Sequence, residues 1–536
     1  MPAPTTAAPS NVPQEQQEQQ EQQGHPQRWI ILGVICLAQL TVLLDNTVLN
    51  VAIPSLTQEL DAATSDIQWM INAYSLVLSG LLLTAGSAAD RYGRRKMLIA
   101  GLALFGVGSL GAGLADSTGQ LIAARAGMGV GGALLLTTTL AVVMQVFAPD
   151  EHPRAIGIWA AVNALGFATG PLVGGVVLEH FWWGAIFLIN LPVVALGLVA
   201  VVALVPESKN IHGERPDLPG ALLSTVGMAS LVFAIISGPE HGWTSGPVLV
   251  TAVAAVLVLT AFAYWERRVP YPMLDLGFFR NRRFTGAVAG VVLITFGMGG
   301  ALFLLTQHLQ FVLGYDALEA GLRTAPLALT VVVLNFSGLS AKGAARLGLP
   351  RSIALGMVLM SGGLVAIATL TEHGYGGTLL GLLLIGGGCA IANPVMTHAV
   401  MSAIPREKAG AGAGINGTLG EFGTGLGVAV LGAVLTSRFA ALVPMAAGSL
   451  PTALATAGSA GERERITDAY SSGLQTSQLV GAVAVLLGGL LAATLLRRAE
   501  QAEQPIPQAE QPTPQAAQPT PPTDRPAPDS PAGVSG

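Results

Sequence analysis

Asp45, Arg125 and Glu421 are ionisable residues set inside long apolar runs. Such residues are costly in hydrocarbon, so each needs a partner or a function. Asp45 stands sixteen residues after Trp29, which is about 24 Å along a helix rising 1.5 Å per residue. Glu421 stands about twelve residues into its own run, or roughly 18 Å. A buried guanidinium keeps its charge and requires a counter-charge. Asp45 is the natural candidate for Arg125. A carboxylate held between a cation and a dehydrated surrounding responds to proton binding, so the two read as a proton-sensitive pair. A structural ion pair is the alternative for Asp45. Glu421 reads equally as a proton or cation site and as a partner for backbone exposed by its neighbouring glycines.

Around these charges lie polar side chains that could line a cavity. Gln39, Asn46 and Asn50 follow one another at seven and four residues, which places them on one helical face. Asn163 and Gln307 are further cavity candidates. A second constellation reads Gly86-Ser-Ala-Ala-Asp90-Arg91-Tyr-Gly93-Arg94-Arg95-Lys96. Its glycines allow a tight turn and close helix approach. Asp90 can meet a helix N-terminus or an arginine of a facing bundle. A contact of that kind forms in one conformation and breaks in another, which makes Gly86, Asp90, Arg91, Gly93 and Arg94 a candidate conformational switch. A third constellation places Gly166, Gly170 and Gly174 at intervals of four, with Pro171 and Gly175 beside them. Small residues at this spacing let helices approach closely, and the proline frees a backbone bond and permits bending.

The elements that must carry these residues are membrane helices. Only 11% of the 536 residues are charged, 51% are hydrophobic, and the mean hydropathy is +0.59. A soluble chain carries about a quarter charged residues. Apolar runs long enough to cross the roughly 30 Å hydrocarbon core recur throughout, and backbone in lipid must satisfy its own hydrogen bonds. Fourteen spans are expected, near 29–51, 67–89, 97–115, 120–147, 155–178, 182–204, 218–238, 246–265, 285–312, 318–341, 351–370, 376–400, 409–436 and 474–496.

Charge sets the orientation. With the N-terminus inside, only Arg438, Arg463 and Arg465 of the 26 Lys and Arg fall in outside segments, and Arg125 and Arg323 fall within spans or at their ends. Cytoplasmic segments hold the rest, as positive-inside topology demands. Both termini are expected in the cytoplasm of a multi-pass inner-membrane protein. The ends, 1–27 and 500–536, are Gln- and Pro-rich and are expected to be disordered. Cys36 and Cys389 read as packing residues. No phosphate-binding loop, nucleophile elbow or zinc spacing is present. No catalytic residue, metal, cofactor or nucleic-acid partner is therefore expected.

Four of these segments, in this order, resemble the major facilitator superfamily, and within it the fourteen-helix drug/proton antiporters. They are Leu44 to Pro54, Gly86 to Arg95, Arg125 with the glycines after it, and Gly166 to Gly175. Phe187-Leu-Ile-Asn190-Leu-Pro192 also fits that group, and the resemblance covers residues 28–499. It implies an all-α polytopic fold with two six-helix bundles (28–204 and 284–499) and two further membrane helices inserted between them (205–283). It also implies a central cavity and alternating access, driven by the proton-motive force. Asp45 and Arg125 then serve proton coupling, and Gly166 to Gly175 form the antiporter motif; Glu421, read from its own position in an apolar run, is a further candidate proton-coupling residue. The chain departs from the family pattern at Met128, where a glutamine is common, and at Gly420-Glu421, where an arginine-glutamine pair is usual. The function expected is efflux of small amphipathic drugs or antibiotics by a monomer in the bilayer. Uptake of a small metabolite on the same fold, or a non-transporting membrane sensor, is the alternative.

Overall fold

The computed structural model describes residues 25–503 except 149–150, 210–215, 371–374, 403, 405–408 and 444–449. The expected tails lie outside the described residues, apart from a few residues beside each end. Among the described residues the secondary structure is helical, with no strand. Thirteen helices are long and apolar enough to cross a membrane. They are α1 (Arg28–Glu59), α2 (Thr64–Tyr92), α3 (Arg94–Gly113), α4 (Thr118–Val146), α6 (Ala185–Leu204), α7 (Leu218–His241), α8 (Gly246–Glu266), α9 (Arg282–Val312), α10 (Ala317–Phe336), α11 (Leu349–Leu370), α12 (Tyr375–Ser402), α13 (Ala409–Leu442) and α14 (Ala460–Glu503). The helix α5 (His152–His180), 29 residues long, fills the fifth place and makes fourteen.

Short polar caps start several of these helices. Asp66 accepts the Ala63 amide at 3.0 Å at the start of α2. Ser117 accepts from Gln120 at 3.4 Å before α4, and Asp316 from Glu319 at 2.7 Å before α10. Such bonds satisfy amides that the first helical turn leaves open. Several boundaries differ from the spans expected; α1, for one, runs on to Glu59, past the expected end at 51. α10 stops at Phe336, because Gly338 turns the chain at φ 69° into a separate short helix, Leu339–Leu347. α14 is 44 residues long, about 66 Å, so it projects well beyond a bilayer at one or both ends. Arg463 and Arg465 ride on its first turns and Arg438 lies in α13, where a loop was expected.

The helices pack as a repeat. Among α1–α6 the principal pairs are α1 with α5, α2 with α4, and α3 with α4. Among α9–α14 the same pairs recur eight places on: α9 with α13, α10 with α12, and α11 with α12. Glycines set the α3–α4 and α11–α12 contacts. A Cβ on Gly131 would lie 2.6 Å from the Phe105 nitrogen, and one on Gly388 2.4 Å from the Gly356 carbonyl. Helices without large side chains at a contact approach until their backbones touch.

Two pairs make the main junction between the halves. α2 runs along α13, and α5 meets α10. The inserted α7 and α8 pair with each other, and α7 also touches α2 and α13. Leu76, Val232, Ile236 and Ala429 form a small buried cluster there. α8 turns most of its surface outward: Leu249, Val250, Val253, Val256 and Leu257 are all exposed. An apolar exposed face of that kind suits lipid.

Candidate transport site

The site is built around Arg125, whose side chain is completely buried two turns into α4. Three contacts hold it. Its Nη1 donates to Asp45 of α1, in a salt bridge whose side chains are 0% and 1% exposed. Its Nε donates to the Met70 carbonyl of α2 at 3.1 Å. Its guanidinium carbon lies 4.4 Å from the centre of the Tyr74 ring, a cation–π contact. Gly129, one turn away, is what lets α2 come so near: a Cβ there would sit 2.7 Å from the Tyr74 carbonyl. The second Asp45 oxygen faces Asn190 of α6 at 3.5 Å, and Asn190 donates to Ser109 of α3 at 3.1 Å. One charge pair thus gathers five helices of the first half. Buried ions persist where hydrogen bonds surround them in this way.

Glu421 comes to this cluster from the other half. α13 brings it against α1 and α2, where the Asn46 amide donates to its Oε2 at 3.5 Å. Ser75 of α2 stands beside the same carboxylate. Gly425, one turn on, gives the room: a Cβ there would lie 2.6 Å from Asn72 Oδ1. Glu421 is half-buried, whereas Asp45 is 3% exposed. The chain therefore carries a buried, paired acid in one half and a more accessible acid at the seam between halves.

A small cavity lies along the same seam. Asn50 and Thr47 of α1, Pro171 of α5, Thr306 of α9 and Thr324 with Leu327 of α10 are among its lining residues. The three threonine hydroxyls bond carbonyls of their own helices, which leaves their methyl groups for the wall.

Next to the cavity, α5 and α10 close against each other. A Cβ on Gly175 would lie 2.6 Å from Leu318 Cα, and one on Gly321 2.4 Å from the Pro171 carbonyl. On its other side α5 clasps α1: a Cβ on Gly166 would meet Leu43 at 2.9 Å, one on Gly170 would overlap Thr47, and one on Gly174 would meet Val48 at 3.0 Å. The glycine series thus serves two neighbours at once.

The expected cavity residues divide. Asn46 and Asn50 stand at the seam. Gln39 is 2% exposed and accepts from Thr139 of α4 at 2.9 Å, so it binds helices within the first half. Gln307 is 3% exposed, accepts from Tyr470 and donates to the Phe303 carbonyl at 3.3 Å, so it joins α9 to α14. Both are glue, because the faces that carry them meet a helix and not the seam. The side chain of Asn163 lies outside the described residues.

The switch segment forms the α2–α3 corner. Gly93 has φ 115°, a conformation that disfavours side chains. Asp90 pairs with Arg94 at 2.9 Å, and Arg94 also donates to the Ala141 carbonyl of α4 at 3.2 Å. Among the described residues, Asp90 is thus held by Arg94 of its own corner, four residues on. Gly86 has free space: a Cβ would meet nothing nearer than Thr137 at 4.0 Å. No close approach requires it here. Arg91 is half-buried on the last turn of α2. Arg323 pairs with Glu319 and lies over the rings of Tyr315 and Tyr375.

Three residues of the site were not singled out for it from the sequence. Ser109 and Ser75 are common residues in apolar runs and gave no signal. Asn190 stood within the Phe187–Pro192 segment, and a single amide in that apolar run was the clue.

The Major Facilitator Superfamily model matches residues 35–428. The multidrug resistance protein Stp of Mycobacterium tuberculosis is 36% identical over 402 residues, covering 75% of this chain and 74% of Stp. The multidrug efflux pump LfrA of Mycolicibacterium smegmatis is 32% identical over 491 residues, covering 88% of this chain and 96% of LfrA. The tetracenomycin C resistance and export protein of Streptomyces glaucescens is 33% identical, covering 79% and 78%. Among solved structures, a bacterial homolog of the lysosomal transporter Spinster, inward-facing and unoccupied, superposes with TM-score 0.61 at 18% identity, covering 88% of this chain and 98% of that one. On the family match, these relatives and the helix pairing described above, the chain belongs to the major facilitator superfamily.

Proposed function

We propose that this protein exports small amphipathic drugs or antibiotics across the cytoplasmic membrane in exchange for protons, as a monomer with both termini in the cytoplasm. Relatives that cover most of the chain are drug-resistance and efflux proteins, which supports the class of substrate and the direction. One observation supports the coupling: Glu421 of one half is bonded by Asn46, the residue next to Asp45 of the buried Asp45–Arg125 pair in the other. Acids on both sides of a moving seam can take up a proton in one arrangement and release it in the other. The α5–α10 seal closes the outer end of the cleft in this reading, so the arrangement is cytoplasm-facing, and rocking of the halves opens the other side. One proton entering down a 100 mV potential supplies about 2.3 kcal/mol from the potential alone. Asn46 and Asn50 line the substrate path, with Glu421 as the acid nearest to a cationic group on the substrate.

Everted membrane vesicles with an acidified lumen test the reading. Addition of a lipophilic cationic dye or puromycin is expected to raise lumenal pH as protons leave in exchange. A protein that moves no such compound, or moves it equally with and without the gradient, contradicts it.

A further inference from the structure

The two acids of the site meet α2 at different levels, and the stretch of α2 that spans those levels carries polar side chains short of partners. Arg125 bonds the Met70 carbonyl. Across the seam, Gly425 lies against Asn72 and Gly417 against Leu82. Glu421 therefore sits along α2 between Asn72 and Leu82, closer to the Asp90 end than the Asp45–Arg125 pair is. Between the two levels stand Tyr74 and Ser75. The Tyr74 hydroxyl is fully buried without a hydrogen bond, beside Gly132 of α4. Ser75, 0% exposed, has no partner apart from the neighbouring Glu421 carboxylate. Asn72 Oδ1 and Arg125 Nη2 are buried and unpartnered as well. Tyr74 is within electrostatic reach of Asp45, Arg125 and Glu421 together.

Buried polar atoms are rarely left unpaired, and each costs about 1–3 kcal/mol when it is. Here four of them belong to three residues of one turn of α2, 72 to 75, and to Arg125, which packs on that turn. Ordered water satisfies such groups in polar interiors, and hydroxyls with water form chains along which protons pass. We propose that the Tyr74 and Ser75 hydroxyls, with water held by Asn72 and Arg125 Nη2, form a proton relay between Asp45 and Glu421. This rests on the proton-coupled export proposed above. In the transfer Asp45 loses a proton and becomes the carboxylate that pairs with Arg125. Each relay oxygen accepts one proton and releases another, and so ends unchanged. Glu421 gains the proton and becomes neutral. The relay belongs to α2 and its receiver to α13, so the transfer is possible while these helices are packed together. Motion of the halves that parted Glu421 from Ser75 would interrupt it.

Purified protein in liposomes tests this with two readouts, dye uptake driven by a proton gradient and dye–dye exchange with no gradient. Tyr74→Phe keeps the ring over Arg125 and removes only the hydroxyl; Ser75→Ala removes the other. The double variant is expected to lose gradient-driven transport at least tenfold and to keep exchange within about twofold. Ser75→Thr, which keeps a hydroxyl, is expected to restore much of the driven rate in the Tyr74→Phe background relative to Ser75→Ala. Equal loss of both activities would assign the residues to packing and overturn the relay. Full gradient-driven transport in the double variant would overturn it alone, with export intact. Wild type that moves no dye in either assay would instead contradict the export reading itself, and the relay with it.

Discussion

Arg125 has the strictest requirements of any side chain in the protein. Among the described residues it is the largest fully buried side chain and Asp45 is its carboxylate partner, buried with it. Removing one member of such a pair leaves an uncompensated buried charge, at a cost of about 3–5 kcal/mol. Arg125→Ala is therefore expected to unfold at a markedly lower temperature than wild type in detergent. The double variant with Asp45→Ala should recover part of that loss, and thermal unfolding of the four proteins in a mutant cycle measures it. Equal and additive losses would contradict the pairing. The pair was legible in the sequence, because a guanidinium in an apolar run demands an acid and few acids were available. The meeting of Asn46 with Glu421 was not, since the two are 375 residues apart and no local rule links them. Gln39 and Gln307 show the same limit from the other side. Helical spacing says which residues share a face but not which neighbour that face will meet.

At the scale of elements, α5 is the member that both halves depend on. Its glycines admit α1 on one side and α10 on the other, and the α10 contact is made by backbone. Backbone cannot yield as a flexible side chain can, so a single methyl at position 175 should force the helices apart. Gly175→Ala is expected to fold and to lose the seal beside Asn50. A cysteine at that position (Asn50→Cys) should then react with a membrane-impermeant thiol reagent from the outer side in the Gly175→Ala background, and only slowly without it. The chain's own Cys36 and Cys389 are buried, which keeps the background low. Equal labelling in both backgrounds would place the seal elsewhere. The spacing of Gly166, Gly170 and Gly174 announced a close helix contact from sequence alone. That Gly175 serves a different partner from the other three was visible only once α10 was in place. The end of α10 was misjudged for a local reason: apolar residues continue past Phe336, while the turn depends on Gly338 alone.

At the scale of the molecule, the sequence already held the architecture. Span length, the charge asymmetry of the loops and four ordered motifs led to fourteen helices and a family, and the eight-place repeat of helix pairs in the structure agrees with that family. The seat of α7 was not legible, because an apolar helix beside a bundle can lie anywhere on its rim. Its contacts with α2 and α13 put it against the seam that must flex. The proposed orientation places both chain ends and the α2–α3 corner in the cytoplasm. A protease-sensitive tag at either end is expected to survive in intact spheroplasts and to be cleaved after permeabilisation. Cleavage before permeabilisation would reverse the topology, and with it the direction of transport.

The central claim is that the buried Asp45–Arg125 pair couples protons to substrate. The measurement that meets it most directly compares wild type with Asp45→Asn in everted vesicles of acidified lumen, following lumenal pH as a cationic dye is added. The amide keeps the shape of the side chain and two of its hydrogen-bonding positions but cannot exchange a proton at this site. The account predicts pH recovery with wild type and none with the variant, while the variant still binds dye. Recovery of equal rate and extent with Asp45→Asn would contradict the account and move the coupling away from this pair.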